Sequence, residues 1–269
     1  MRGPCFCLVA LLLATVLPGT VAQARTVTTL SPLADASIYS ETDRANGRGD
    51  KIEVGISRAA AVRRGLIRFD VSGIPADATV QAASLNLVLD GNNFGPHVVA
   101  AHRVTTVWAE GPAANGATAG SGDVTWLSPS LGSGRTWSNQ GGDFFPFATS
   151  VATANAERST VSFNVKQDVQ DFLSNSASNE GWLLKIADEG ISQSLKRFVS
   201  REFHDASQHP VLVVTWFIPT TTTTGTTSTS FVETTTTLTT TTTLTTTTTT
   251  TTVSHWYHWK RRVRRPLYV

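Results

Sequence analysis

The sequence predicts an all-β fold, a sandwich or barrel of short strands, on three observations. Between Val27 and Phe217, apolar and polar residues alternate in short runs. Gly, Pro, Asn and Asp break these runs at close intervals, which is the punctuation of strands joined by turns. Helical periodicity is confined to one brief stretch.

In chain order, the first 24 residues read as a secretory signal peptide. Arg2 supplies the positive start, Phe6 to Leu17 the apolar run, and Ala22-Gln23-Ala24 the small-residue cleavage site, so the mature chain is expected to begin at Arg25. The apolar run is about a dozen residues, against about 20 for a membrane-spanning helix. Cys5 and Cys7 both lie in this leader, leaving a mature chain without thiol chemistry or disulfides.

Strands follow. Along Arg64 to Asp70, Gly65, Ile67 and Phe69 fall on one face, because side chains alternate across a strand. Thr79 to Leu89 repeats the period with Leu85, Leu87 and Leu89, and Val161, Phe163 and Val165 do the same. Further strands are expected at 98–104, 182–187, 196–202 and 211–217, with Trp182 in the core beside Leu184 and Ile186. From Gln167 to Ser174, Val169, Phe172 and Leu173 stand at i, i+3 and i+4, which predicts a short amphipathic helix. Glu110 to Phe147 reads as a long loop rich in small residues yet bearing Trp126, Trp137, Phe144, Phe145 and Phe147, a natural place to look for binding.

The alternating pattern ends near Phe217. Residues 220–252 hold 25 threonines in 33 positions, a composition that cannot offset its ordering entropy and is expected to be a disordered linker. Residues 253–269 carry Lys260, Arg261, Arg262, Arg264 and Arg265 without an acid, a tail of net charge +5. The folded body, residues 25–219, has 16 Lys or Arg against 19 Asp or Glu, a net of −3, which argues against a nucleic-acid surface.

Several segments carry a family likeness: Asp35-Ala36-Ser37-Ile38-Tyr39-Ser40-Glu41, Arg63 to Asp70 (RRGLIRFD), Ile74 to Val80, Trp108-Ala109-Glu110-Gly111, Gly122 to Trp126, Gly181-Trp182-Leu183-Leu184 and Lys196 to Glu202 (KRFVSRE). Together, over roughly residues 32–216, they resemble the DNRLRE domain, also classified as family 96 of the carbohydrate-binding modules. The resemblance implies a β-jelly-roll, an antiparallel two-sheet sandwich of exported and cell-surface proteins, with alginate-type polysaccharide as a ligand in some members.

The nucleophile elbow G-x-S-x-G, the zinc motif H-E-x-x-H, the P-loop and the dinucleotide fingerprint are absent from the sequence. Arg48-Gly49-Asp50 is a chance tripeptide, and His255 and His258 of the tail are assigned no metal. A structural calcium is the only cofactor left open, with Asp35, Glu41, Asp43 and Asp50 as weak candidate ligands, although no D-x-D-x-D-G ladder is present. For a sugar ligand, aromatic faces suit C–H surfaces and arginine forks suit uronate carboxylates. The candidates are Arg63, Arg64, Arg68, Arg103, Trp126, Trp137 and Arg201, with an Arg68–Glu202 pair as an alternative, purely structural use of those two side chains.

The expected protein is a secreted, monomeric, noncatalytic module for an acidic extracellular polysaccharide, its basic tail suited to an anionic surface. A structural or adhesive surface module without a sugar ligand is the alternative, and a polysaccharide-degrading enzyme ranks below both.

Overall fold

The structure is a computed structural model and describes residues 23–92 and 95–220. The leader up to residue 22, most of the threonine-rich linker and the basic tail lie outside the described residues. Within them the chain forms β1 (Thr26–Leu30), β2 (Pro32–Tyr39), β3 (Arg44–Asn46), β4 (Lys51–Ile56), β5 (Val62–Phe69), β6 (Thr79–Asn92) and β7 (His97–Arg103). There follow β8 (Ala117–Thr118), β9 (Ser150–Ala154), β10 (Thr160–Asn164), α1 (Lys166–Leu173), β11 (Trp182–Ile186), β12 (Lys196–Val199) and β13 (Val211–Phe217).

All strand pairings are antiparallel. One layer runs β1-β13-β6-β10. The other runs β8-β3-β2-β5-β11-β7-β9. Strand β6 is long enough to serve twice. Its first part pairs with β13 and β10, and its last residues pair with β12, which pairs with β4; β4 in turn meets β5 at Gly55 and Ile56. The β6-β12-β4 segment therefore carries hydrogen bonding from one layer to the other, as strands do at the corner of a sandwich.

The main core lies between the layers. Leu85, Leu87, Leu89, Phe163, Leu212 and Val214 meet Ile52, Ile67, Phe69, Val99, Trp182 and Leu184, all at most 1% exposed. Trp182 is in the core as its alternation requires, its indole N–H donating to Asp168 at 2.7 Å. The helix falls where its apolar spacing places it: Val169, Phe172 and Leu173 are buried against the core.

A second apolar cluster covers the other face of the β2-β5-β11 layer. Leu66 and Leu183 point away from the main core, yet both are 0% exposed. Residues 105–149 fold back over them and bury Trp108, Val124 and Trp137, with Trp126 and Phe144 packed alongside. The aromatic segment expected to be a binding loop is thus in large part a packed cover. The reason is energetic: it shields outward apolar side chains of two central strands, and each large apolar group so buried contributes about 1.5–3 kcal/mol.

Candidate functional site

An open cleft of about 590 Å³ lies where β2, β3, β4, β5 and β12 come together. Alternation along β4 sends Ile52 and Val54 into the core and leaves Lys51 and Glu53 outside. Register brings the remaining groups to them. Arg63 of β5 lies opposite Tyr39 of β2 and Gly55 of β4, and Arg197 of β12 lies opposite Glu53. Arg44 and Asn46 of β3, Glu41, Asp43 and Asp50, and Asn115-Gly116 from the covering segment complete the lining.

The floor is a run of paired charges. Arg63 donates to both carboxylate oxygens of Glu41, with Nη2 at 2.8 Å from Oε1, and its Nε is 3.4 Å from Glu53 Oε2. Arg197 Nε donates to the other Glu53 oxygen at 2.8 Å. The Arg63 guanidinium lies 4.1 Å from the centre of the buried Tyr39 ring, close enough for cation–π attraction. Hydrogen bonding from Arg63 holds the Glu41 carboxyl below its ordinary pKa, while burial, reinforced by Glu53, pushes the Tyr39 hydroxyl up. Asn46 is fixed at both ends, donating to Lys51 O at 3.0 Å and accepting the Asn115 N–H at 2.7 Å. At the rim, Arg44 is exposed and donates to Gly116 O at 2.8 Å. Four acids and four bases line the cleft, so it is balanced in charge.

Of the residues singled out from sequence, Arg63, Glu41, Asp43 and Asp50 line this cleft. The others lie elsewhere. Arg64 grips Glu189 through two 2.8 Å hydrogen bonds, donates to Gly141 O and sits 4.8 Å from the Trp126 ring. Burial opposes the Glu189 charge, but the Arg64 hydrogen bonds and Lys185 hold its pKa below the ordinary value. Arg68 pairs with Glu180 at 2.9 Å and Arg103 with Asp171 at 2.9 Å. Arg201 grips Glu110 through bonds of 2.9 and 2.7 Å and meets Glu202 at 2.9 Å. The Arg68–Glu202 pair does not form, because β5 has β11 beside it, which brings Glu180 to Arg68, whereas β12 runs beside β4 and β6. Trp137 is 5% exposed with its indole N–H on Thr125 O at 2.8 Å, so its ring is packed rather than presented to solvent.

The calcium candidates do not converge. Asp35 is buried and accepts the Arg201 N–H at 2.9 Å, Glu41 is held by Arg63, and Asp43 and Asp50 stand exposed. Among the described residues, no group of three His, Cys, Asp or Glu side chains is placed to hold a metal ion.

Sequence reasoning missed Tyr39, Arg44, Asn46, Lys51, Glu53, Asn115 and Arg197. One signal was available. The alternation Lys51-Ile52-Glu53-Val54 marks Lys51 and Glu53 as outward charges on a strand that carries core residues on its other side.

A family profile described as carbohydrate-binding module family 96 matches residues 26–180. No curated protein matches the chain. The matched stretch runs from β1 past helix α1 and takes in every lining residue of the cleft except Arg197. It spans 155 of the 269 residues, more than half, and the chain accordingly belongs to carbohydrate-binding module family 96.

Proposed function

We propose that this module binds an acidic extracellular polysaccharide, without cleaving it, in the cleft over Tyr39 and Arg63. The observation that carries the reading is the paired floor, Glu41–Arg63–Glu53–Arg197. Planar carboxylates and guanidinia already fixed in place offer acceptors and donors to sugar hydroxyls with little ordering cost. Arg44, at the rim, has among the described residues one side-chain hydrogen-bond partner, Gly116 O, and so has donors left for a uronate carboxylate. Glycosidase chemistry calls for one carboxyl of raised pKa beside an ionised one. Glu41 is shifted the other way, and the raised carboxyls, Asp35 and Glu202, do not line the cleft.

The equal numbers of acids and bases favour a second reading, a neutral polysaccharide held through hydroxyl contacts alone. In either case the leader would direct export, the threonine-rich segment would serve as a spacer, and the basic aromatic tail would provide salt-sensitive attraction to an anionic surface.

A polysaccharide array probed with the mature chain, residues 25–269, tests this. Retention on alginate or pectate above neutral glucans is expected, with no soluble fragments released. Preferential retention on a neutral polymer supports the second reading; no retention on any polymer favours a structural role. Release of oligosaccharides contradicts the noncatalytic assignment.

A further inference from the structure

Lys51 lines one depression and touches the wall of another. It lines the 590 Å³ cleft, yet its ammonium pairs with Asp90 and lies 3.8 Å from the centre of the Phe203 ring. Asp90 and Phe203 line a second open depression of about 450 Å³, with Val88, Arg158, His204 and Gln208. The fold builds this junction at a register shift. Arg197 and Phe198 of β12 pair with Gly91 and Leu89 of β6, which leaves Asp90 as the unpaired residue of a β-bulge. Bulges re-aim side chains, and here the carboxylate reaches Lys51 across the intervening strand.

The second depression carries the group types of the first. His204 is exposed, and its ring lies 4.2 Å from Phe203, centre to centre, presenting an aromatic surface backed by another ring. Gln208 adds an amide. Arg158 is exposed and stands in the left-handed backbone region at φ 59°, its N–H bound to Leu89 O at 2.6 Å. A non-glycine residue persists there only where its surroundings fix it.

Resting on the carbohydrate-binding reading, we infer that the two depressions form one ligand track bridged by Lys51, taking an internal stretch of an anionic polysaccharide, with Arg44 and Arg158 as the acid-reading groups. The Lys51–Asp90 pair then acts as a low sill that the polymer crosses. An acidic chain passing over it meets an arginine on either side, whereas a terminal unit or disaccharide meets only one.

Isothermal titration of the mature chain with oligomannuronates of two, four and six units tests the track. Affinity is expected to rise at least about tenfold from dimer to hexamer. Arg158→Ala should cut that ratio to about twofold, and Arg44→Ala should weaken all lengths by about fivefold, as expected for single exposed charge-assisted contacts. Melting temperatures, measured alongside, should stay within a degree or so, since both side chains are exposed. A length-independent affinity, or an Arg158→Ala variant with the native length dependence, overturns the track and leaves the single cleft standing. Failure of alginate and of every oligomer to bind overturns the acidic-polysaccharide reading and the track together.

Discussion

Arg63 and Arg64 are neighbours on β5 that point to opposite faces and do different work. Arg63 opens onto the cleft, whereas Arg64 ties the covering segment to the sheet by joining Glu189, Gly141 O and the face of Trp126. Arg64→Ala is therefore expected to cost about 3 kcal/mol in urea unfolding, because Glu189 is left in a mostly buried site without its main partner. A loss below about 0.5 kcal/mol would show that the clamp is not structural. Asp35 permits a test by pH. Burial pushes its carboxyl well above the ordinary aspartate value, so the folded state holds the proton more tightly than the unfolded chain. That contribution to stability is complete below the unfolded pKa and is lost as pH rises through the folded value. Asp35→Asn keeps an oxygen to accept the Arg201 N–H and removes the charge. Its melting temperature should exceed that of the native chain increasingly from about pH 4 upward. Parallel curves for the two proteins would contradict the assignment.

At the scale of elements, the turn into β11 depends on one backbone position. Gly181 adopts φ +73°, and a Cβ placed there would stand 2.0 Å from Ile67 O. Its N- and C-terminal neighbours are Glu180, the partner of Arg68, and Trp182 at the centre of the core. Gly181→Ala should cost at least about 2 kcal/mol by chemical denaturation, from backbone strain and the clash together. Unchanged stability would mean that β11 enters the sheet differently. The strands themselves were legible because alternation reports burial directly: Leu85, Leu87 and Leu89 on β6 are all 0% exposed, and Val169, Phe172 and Leu173 revealed the helix. The covering segment was not legible. Loop-like composition describes the backbone of residues 110–147, but what Trp108 and Trp137 pack against is decided by the outward residues Leu66 and Leu183, distant in sequence.

The same limit governed the site of the whole molecule. Its lining runs from Tyr39 to Arg197, assembled by five strands whose register no local pattern specifies, so Arg63 and three acids were within reach and Arg197 was not. Family membership follows from the order of many weak motifs, whereas the cleft emerges only when β4 and β12 meet. The central claim, that this cleft is where polysaccharide binds, is most directly tested by titrating alginate into the mature chain and into an Arg44→Ala, Arg197→Ala double variant. Both side chains lie toward solvent, so the variant should keep its melting temperature within a few degrees. The account predicts saturable binding by the native chain and at least about a tenfold weaker association for the variant. Equal affinity in the two proteins would place the ligand on another face of the sandwich and contradict the account.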